Sequence, residues 1–251
     1  MQQTAIVGND RTITGQIYTG NLSARMQHPD GRPFHTFRTY TAIVEGNRLT
    51  FDGCRFENTA GPGKTAGQAL ALYVDGDEIR FENCHITGHQ DTLFLAPLPP
   101  FEYEHDGFIG PGYDKPRTMR QVYFHNCLIE GGIDFIFGGA SAVFEECEFR
   151  SVEPGFVFAP CTPEGEMGFV ARRCRFTAAE GVPEASCYLG RPWREYAAVA
   201  LYDCEIGAHI HPEGWHDWDK TEARKTVRFS ESGSFGPGAC MKCRPEWVSV
   251  R

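Results

Sequence analysis

The chain has 251 residues, of which 41% are hydrophobic, and it carries a formal net charge of -9 at neutral pH. This length and hydrophobic content fit one domain, residues 1–251, with a continuous core. An acidic chain without a basic stripe is a poor match for a phosphate backbone, so nucleic acid is excluded as an expected partner.

The N-terminal residues MQQTAIVGND lack the basic and apolar regions of a secretory leader. No run of about 18 apolar residues occurs anywhere, so no membrane partner is expected. As given, the chain is predicted to be cytoplasmic. A secreted protein from which a leader had been removed would present the same sequence.

Six related segments are centred on cysteines: LTFDGCRFEN, IRFENCHITG, VYFHNCLIEG, AVFEECEFRS, FVARRCRFTA and VALYDCEIGA. The residue three positions before each cysteine is Phe, Ala or Leu, and the residue two positions after it is Phe or Ile. Each segment is short, rich in β-forming residues and without helical periodicity. A repeat of strands predicts a solenoid, here an all-β, single-stranded parallel β-helix with coils of roughly 20–30 residues.

The repeat cysteines would form a ladder inside such a solenoid, because like positions stack on successive coils. Stacked side chains are poorly directed for disulfides, and buried cysteine packs as a small hydrophobe, so free thiols are expected. Cys240 and Cys243 form a CxxC pair, but no second pair supplies the four ligands of a structural zinc. Neither a metal nor a cofactor is predicted.

The longest insertion between repeats contains APLPPFEYEHDGFIGPGYDKPR, residues 96–117. A β-helix tolerates insertions on one face. Because this one is rich in Pro, Gly and aromatic residues, it is expected to be an ordered loop over a groove. A disordered insertion is the alternative.

Two aspartates occupy like positions on consecutive coils. Asp91 in GHQDTLF and Asp134 in GGIDFIF each lie seven residues after a repeat cysteine. Two carboxyl groups one rung apart would be about 5 Å from each other, so one pKa rises and an acid and a carboxylate coexist near neutral pH. This favours a catalytic pair over the alternative, two aspartates that cap turn amides. The same count in the other coils reaches Gly61, Pro154, Gly181 and His211.

Three motifs in this order, GHQDTLF, GGIDFIFG and LGRPW, resemble the signature motifs of the pectin methylesterases. The similarity continues through NTAGPGKTAGQALAL, IHPEGWHDW and SESGSFGPGA and covers roughly residues 40–247. It implies a right-handed parallel β-helix that hydrolyses methyl esters of polygalacturonate or its oligosaccharides, without metal, to pectate and methanol. Pectin or a methylated oligogalacturonide is the expected partner.

The resemblance also implies roles for the matched residues. Asp134 would be the nucleophile, and Asp91 would be the general acid toward methanol and then the base toward water. Gln68 and Gln90 would donate hydrogen bonds to the oxyanion. Arg191 would hold Asp134 ionised, because a neighbouring cation lowers one pKa and leaves the proton on the other acid. The predicted substrate contacts are Trp193, Phe137, Phe94 and His89.

The N-terminal part departs from the family pattern. Residues 1–40 show only weak strand character, and the usual strand and helix that cover the solenoid end are not visible, so this segment is treated as atypical and residues 41–247 as the family-like coils. An uncovered end exposes strand edges. Either residues 1–40 cap it differently or another surface does, and oligomerisation through this end is one expectation.

Two other functions stay open. A glycosidase on the same fold would also use two carboxylates about 5 Å apart, and it predicts chain cleavage. A non-catalytic polysaccharide-binding solenoid would not need both acids. Other motifs fail, since GPGKT lacks the first glycine of a phosphate loop and no G-x-S-x-G occurs. The histidines around PEGWHDW are interpreted as surface or groove residues: His209, His211 and His216.

Overall fold

A computed structural model describes residues 3–251. Its strands pair in parallel and wind into a solenoid with three faces, which confirms the parallel β-helix. The three faces are called front, middle and rear here, in the order in which the chain visits them.

The front face carries β5 (Leu72–Asp77), β8 (Leu93–Leu95), β11 (Ile136–Gly138), β14 (Phe156–Pro160) and β17 (Tyr188–Gly190). The middle face carries β6 (Ile79–Glu82), β9 (Gln121–His125), β12 (Ser141–Glu145), β15 (Phe169–Arg172), β18 (Ala198–Tyr202), β20 (Arg228–Ser232) and β21 (Ser249–Val250). The rear face carries β2 (Ile17–Gly20), β4 (Arg55–Asn58), β7 (His85–Thr87), β10 (Leu128–Gly131), β13 (Glu148–Ser151), β16 (Arg175–Ala178) and β19 (Glu205–Ile206).

Two long strands join the front and middle faces. The first half of β3 (Ala42–Asp52) pairs with β5 and its second half pairs with β6, while β1 (Thr4–Thr14) pairs with β3 along its whole length. Since β2 also pairs with β4, the first coil begins at residue 4. The coils therefore start earlier than residue 41, where the sequence predicts them to begin.

The helical segments are brief. They are the α-helix α1 (Gly63–Ala66) and the 3-10 turns Thr36–Arg38, Thr221–Lys225 and Met241–Cys243. None of the helices in the described part of the chain is long enough to cross a membrane.

The core consists of columns of like residues, because register brings the repeat positions into line. Phe51, Phe81, Phe124 and Phe144 stack with ring centroids 5.0, 4.9 and 4.7 Å apart and nearly parallel planes. A second buried column, on the rear face, comprises Phe56, Ile86, Ile129, Phe149, Phe176 and Ile206. These are the positions that the sequence repeat marks.

The turn between the middle and rear faces also repeats. The residue before each repeat cysteine has a left-handed backbone, a conformation that Gly and Asn adopt more readily than other residues. The amide of Asn126 donates to Asn83 Oδ1 at 2.8 Å, and the amide of Asn83 donates to Asp52 Oδ1 at 2.8 Å. The left-handed residues are Gly53, Asn83, Asn126, Glu146, Arg173 and Asp203.

The repeat cysteines form the expected buried ladder of free thiols, and the backbone N–H of Cys84 donates to Cys127 Sγ at 3.4 Å. The exception to the expectation of free thiols is the C-terminal CxxC pair, because Cys240 and Cys243 are disulfide-bonded to each other.

A second apolar cluster covers the outside of the front face. Phe37, from the first 3-10 turn, packs on Phe94 and Phe137, and Phe108 of the 96–117 insertion packs on Phe37. Within the insertion, Arg117 Nη1 donates to the carbonyls of Gly112 and Lys115, at 2.7 and 2.8 Å. The front face is therefore buried on both sides.

Phe124→Ala is expected to lower the free energy of unfolding by about 3–5 kcal/mol, because it opens a cavity in the stacked Phe column. Chemical denaturation followed by circular dichroism measures the change. Gln121→Ala, at an exposed position of the same strand, is the control and should change it by less than about 0.5 kcal/mol. Equal effects of the two substitutions would show that the column is not a main source of stability.

Candidate active site

Two buried aspartates lie side by side in the turn from the rear face to the front face. Asp91 precedes β8 and Asp134 precedes β11, and these strands pair in register, with Leu93 opposite Ile136. The aspartates are therefore direct neighbours on adjacent rungs, about 4.8 Å apart along the solenoid. Both have left-handed backbones, with φ of 61° and 50°, and both are at least nine-tenths buried.

Neighbouring coils carry apolar residues at the same place in the register. Leu72 pairs with Leu93, which puts Leu70 in line with Asp91, and Ile136 pairs with Phe158, which puts Phe156 in line with Asp134. Counting seven residues from a cysteine does not find the equivalent position in every coil, because turn length varies. The predicted equivalents Gly61, Pro154 and Gly181 are wrong, since register places Leu70, Phe156 and Tyr188 there. His211 does lie in line with Tyr188, because Cys187 pairs with Ile210.

Arg191 binds Asp134 with both ends of its guanidinium. Nε donates to Oδ1 at 2.8 Å and Nη2 donates to Oδ2 at 2.6 Å. The guanidinium carbon also lies 3.9 Å from the ring centroid of Phe156 and 3.6 Å from that of Trp218. Bidentate and stacked contacts of this kind fix the plane of the guanidinium, which a lysine would not reproduce.

The two carboxyl groups differ in their electrostatic surroundings. Burial raises the pKa of Asp91 well above its usual value, and the neighbouring Asp134 raises this pKa further. Burial also raises the pKa of Asp134, but the hydrogen bonds and charge of Arg191 oppose this, with a smaller contribution from Lys220. Because two adjacent carboxylates do not both ionise easily, Asp91 holds the proton and Asp134 the negative charge.

The pair opens into a groove of about 310 Å³. Most of the predicted site residues meet there: Gln68, Gln90, Asp91, Asp134, Phe137, Arg191 and Trp193. A hydrogen bond from Gln90 also favours the ionised form of Asp91. A larger open depression of about 790 Å³ lies on the middle face, but neither aspartate lines it.

One predicted substrate contact, Phe94, is wrong. Phe94 has no exposed surface, because Phe37 and Phe137 cover its ring, so it supports the groove from below. His89 is half-buried outside the groove lining, where its Nδ1 hydrogen-bonds Glu153 Oε1 at 3.2 Å. A contact between His89 and substrate stays a prediction.

Several groove residues are not among those predicted from the sequence. Phe37, Tyr103 and Phe108 belong to segments without a repeat, so no pattern marks them. Arg194 and Trp218 also line the groove, and their signal was present, since one directly follows GRPW and the other ends PEGWHDW.

The histidines around PEGWHDW do not converge. His209 is buried, which lowers its pKa to about 4, and His211 stacks on Tyr188. His216 approaches Asp217 and Asp219, but Arg224 binds Asp217 at 2.6 Å and the backbone N–H of Trp218 donates to His216 Nδ1 at 2.9 Å. These donors already engage Asp217 and one ring nitrogen of His216. That the protein needs no metal stays a prediction.

Fold and site together define a class, the parallel β-helix proteins with a paired-carboxylate groove. A sequence model of the family described as Pectinesterase matches residues 4–102 and 113–251. The chain belongs to the pectinesterase family, and the match begins well before residue 40.

Individual relatives agree. Pectinesterase 1 from Citrus sinensis is 34% identical over an alignment of 256 positions, gaps included, that covers 98% of this chain and 38% of that protein. This chain therefore spans less than two thirds of that relative. The structure of pectin methylesterase from carrot has a TM-score of 0.76 at 28% identity, covering 94% of this chain and 69% of that one. The pectin methylesterase from Aspergillus niger has a TM-score of 0.79 at 26% identity, covering 99% and 77%.

Asp91→Asn is expected to stabilise the protein, and the gain should grow as the pH rises. The raised pKa of Asp91 means that the folded state holds a proton which the unfolded state loses above about pH 4, so the stability of the unsubstituted protein falls with rising pH in this range. The expected gain is about 1–3 kcal/mol at pH 7 and near zero at pH 4.

Urea denaturation at the two pH values measures this difference. Asp114→Asn, at an exposed position, is the control and should change stability by less than about 0.5 kcal/mol at either pH. A gain for Asp91→Asn that does not depend on pH would contradict the assignment of the proton.

Proposed function

We propose that this chain hydrolyses methyl esters of polygalacturonate or methylated oligogalacturonides, releasing methanol. The observation that carries the proposal is the asymmetry of the acid pair: two buried carboxyl groups are neighbours on adjacent coils, and a bidentate arginine binds only one of them. One ionised and one protonated carboxyl group are what nucleophilic attack and leaving-group protonation require. Family membership and the pectin methylesterase structures with the same fold support the choice of substrate.

In the first half of the reaction, Asp134 attacks the ester carbonyl carbon and a tetrahedral intermediate forms. Gln68 and Gln90, which line the groove beside the acids, donate hydrogen bonds to the developing oxyanion. The bond to the methoxy oxygen then breaks, Asp91 gives its proton to this oxygen, and methanol leaves. The galacturonyl group is now bound to Asp134 as an anhydride.

In the second half, Asp91 is ionised and acts as the base. It takes a proton from water, whose oxygen attacks the galacturonyl carbonyl carbon. The bond to Asp134 breaks, which restores its carboxylate beside Arg191, and the product leaves as a free uronic acid. Asp91 has recovered its proton, so the pair is ready for another turnover.

The groove fits a sugar bearing an uncharged ester. Tyr103 and Trp193 give it exposed aromatic surface on which the apolar face of a sugar ring can pack, and the largely buried rings of Phe37, Phe108 and Phe137 complete its lining. The formal net charge of -9 disfavours a fully ionised polyuronate and is compatible with a methylated one.

A glycosidase is the second candidate, because retaining glycosidases also use carboxyl groups about 5 Å apart, close to the rung spacing here. The two functions give different products. An esterase releases methanol from methylated pectin without new reducing ends, and a glycosidase produces reducing ends. Assaying both products in one incubation separates the two functions. The absence of both products would indicate a non-catalytic, polysaccharide-binding solenoid.

Asp134→Asn is expected to lower the rate of methanol release by at least about a thousandfold, because the amide is a poor nucleophile and loses its ion pair with Arg191. Methanol is measured enzymatically with methylated pectin as substrate. Asp219→Asn, an exposed aspartate of the 217–220 turn, serves as the control and should retain activity. Retained turnover in Asp134→Asn would show that the nucleophile is another group.

We also propose that two copies of the chain associate through the outer edge of β1. Among residues 3–251, β1 pairs only with β3, so its other edge leaves backbone groups unpaired, and Val7 on this strand is 60% exposed. Light scattering over a concentration series should detect a dimer, and Val7→Lys should weaken it by placing a charge in the contact. A monomer at all concentrations would contradict this proposal.

A further inference from the structure

Lys220 forms a link between two parts of the site that the reaction scheme does not use. Its Nζ donates to the carbonyl oxygens of Pro192 and Trp193, at 2.9 and 3.0 Å. The same ammonium lies 4.2 Å from the ring centroid of Trp218. One half-buried side chain thus contacts both the GRPW turn and the aromatic residue that stacks on Arg191.

These contacts hold Arg191 from two directions. The backbone of the turn that carries Arg191 is tied down through the carbonyls of the next two residues. The ring of Trp218, on which the guanidinium lies, is fixed by the ammonium over it. A displacement of either part would tilt the guanidinium away from Asp134, and bidentate hydrogen bonds depend strongly on that angle.

Lys220 also acts on Asp134 through its charge, which lowers the pKa of this carboxyl. The groups that face Lys220 from the GRPW turn are the cations Arg191 and Arg194 and the carboxylate Glu195. On its own segment, Asp217 is neutralised by its ion pair with Arg224. Asp134 is therefore the buried carboxylate on which this ammonium acts.

We propose that Lys220 is a positioning residue for ester hydrolysis, holding the Arg191 guanidinium in its bidentate geometry and adding a second positive charge that keeps Asp134 ionised. This inference rests on the proposed function, because it assigns Lys220 a part in preparing the nucleophile. Lys220 is not expected to touch the substrate, since it is not among the residues that line the groove.

The pH range in which this charge is present fits the role. Burial, and then repulsion from Arg194 and Arg191, lower the pKa of Lys220 to about 8, while Glu195 and Asp134 oppose the shift. The ammonium is thus charged at neutral and acidic pH, where Asp134 would otherwise take up a proton. Removing the charge raises the pKa of Asp134, so the acid limb of the kcat/KM profile moves to higher pH.

The test compares Lys220→Met, which keeps the length of the side chain, with Lys220→Arg, which keeps the charge. Lys225→Met is the matched control, because Lys225 is an exposed lysine on the following 3-10 turn and pairs only with Glu222 among the described residues. Methanol release from methylated pectin is measured from pH 4 to pH 8 for all of these and for the unsubstituted protein.

In Lys220→Met the acid limb should move up by about 0.5–1 pH unit, which lowers kcat/KM by about three- to tenfold on that limb. Lys220→Arg should restore the position of the limb, and Lys225→Met should leave it in place. A uniform loss of activity without a shift of the limb would overturn the electrostatic role and reduce Lys220 to a structural one.

A second measurement does not depend on the proposed function. Carbon NMR titration of the Asp134 carboxyl reports its pKa directly, with Asp134→Asn used to assign the signal. A higher Asp134 pKa in Lys220→Met than in the unsubstituted protein and Lys225→Met supports the inference even without turnover. An unchanged pKa overturns it. Absence of methanol release from the unsubstituted protein, with the pKa shifted, would reject the function and not the coupling.

Discussion

The site depends on the register between successive coils. Columns of Phe, Ile and Cys in the core allow each coil to settle only directly above the previous one, because a slip of one residue would turn every buried side chain outward. The turns must then stack as the strands do. The proximity of Asp91 and Asp134 is thus a consequence of packing far from the groove, and no contact between the two acids has to hold them together.

That arrangement has a free-energy cost which the surroundings offset. Each aspartate is buried with a left-handed backbone, and burial disfavours charge on both. For Asp134 the offset is the bidentate bond to Arg191, whose guanidinium is enclosed by Phe156 and Trp218. Asp91 has no such partner and avoids the cost by keeping its proton. Both carboxyl groups are buried, but only Asp134 has an arginine that offsets the free-energy cost of its charge. This difference makes the two carboxyl groups chemically different.

The sequence predicts the parts of the molecule that repeat. The cysteines and the apolar residues around them mark the coils, and two coils of equal turn length show that the acids are neighbours. The same count fails in the coils on either side because turn length varies, which hides Phe156 as the next residue in the acid column. Phe94 was misassigned for another physical reason. Alternation along a strand implies one outward face, but Phe37 and the insertion bury that face too, and their packing is not visible in the repeat.

The repeating and non-repeating parts of the chain contribute different residues to the groove. Both acids and Gln90 sit on turns whose position is fixed by solenoid register, whereas Tyr103 and Phe108 of the wall belong to residues 103–112, which lie outside the family match. Phe108 packs against Trp193, two residues from the arginine that binds Asp134. A change in this loop therefore reaches the wall of the groove directly but reaches the acid pair only through the GRPW turn. Substrate preference can vary in such a fold while the chemistry stays constant, because the two are held by different parts of the chain.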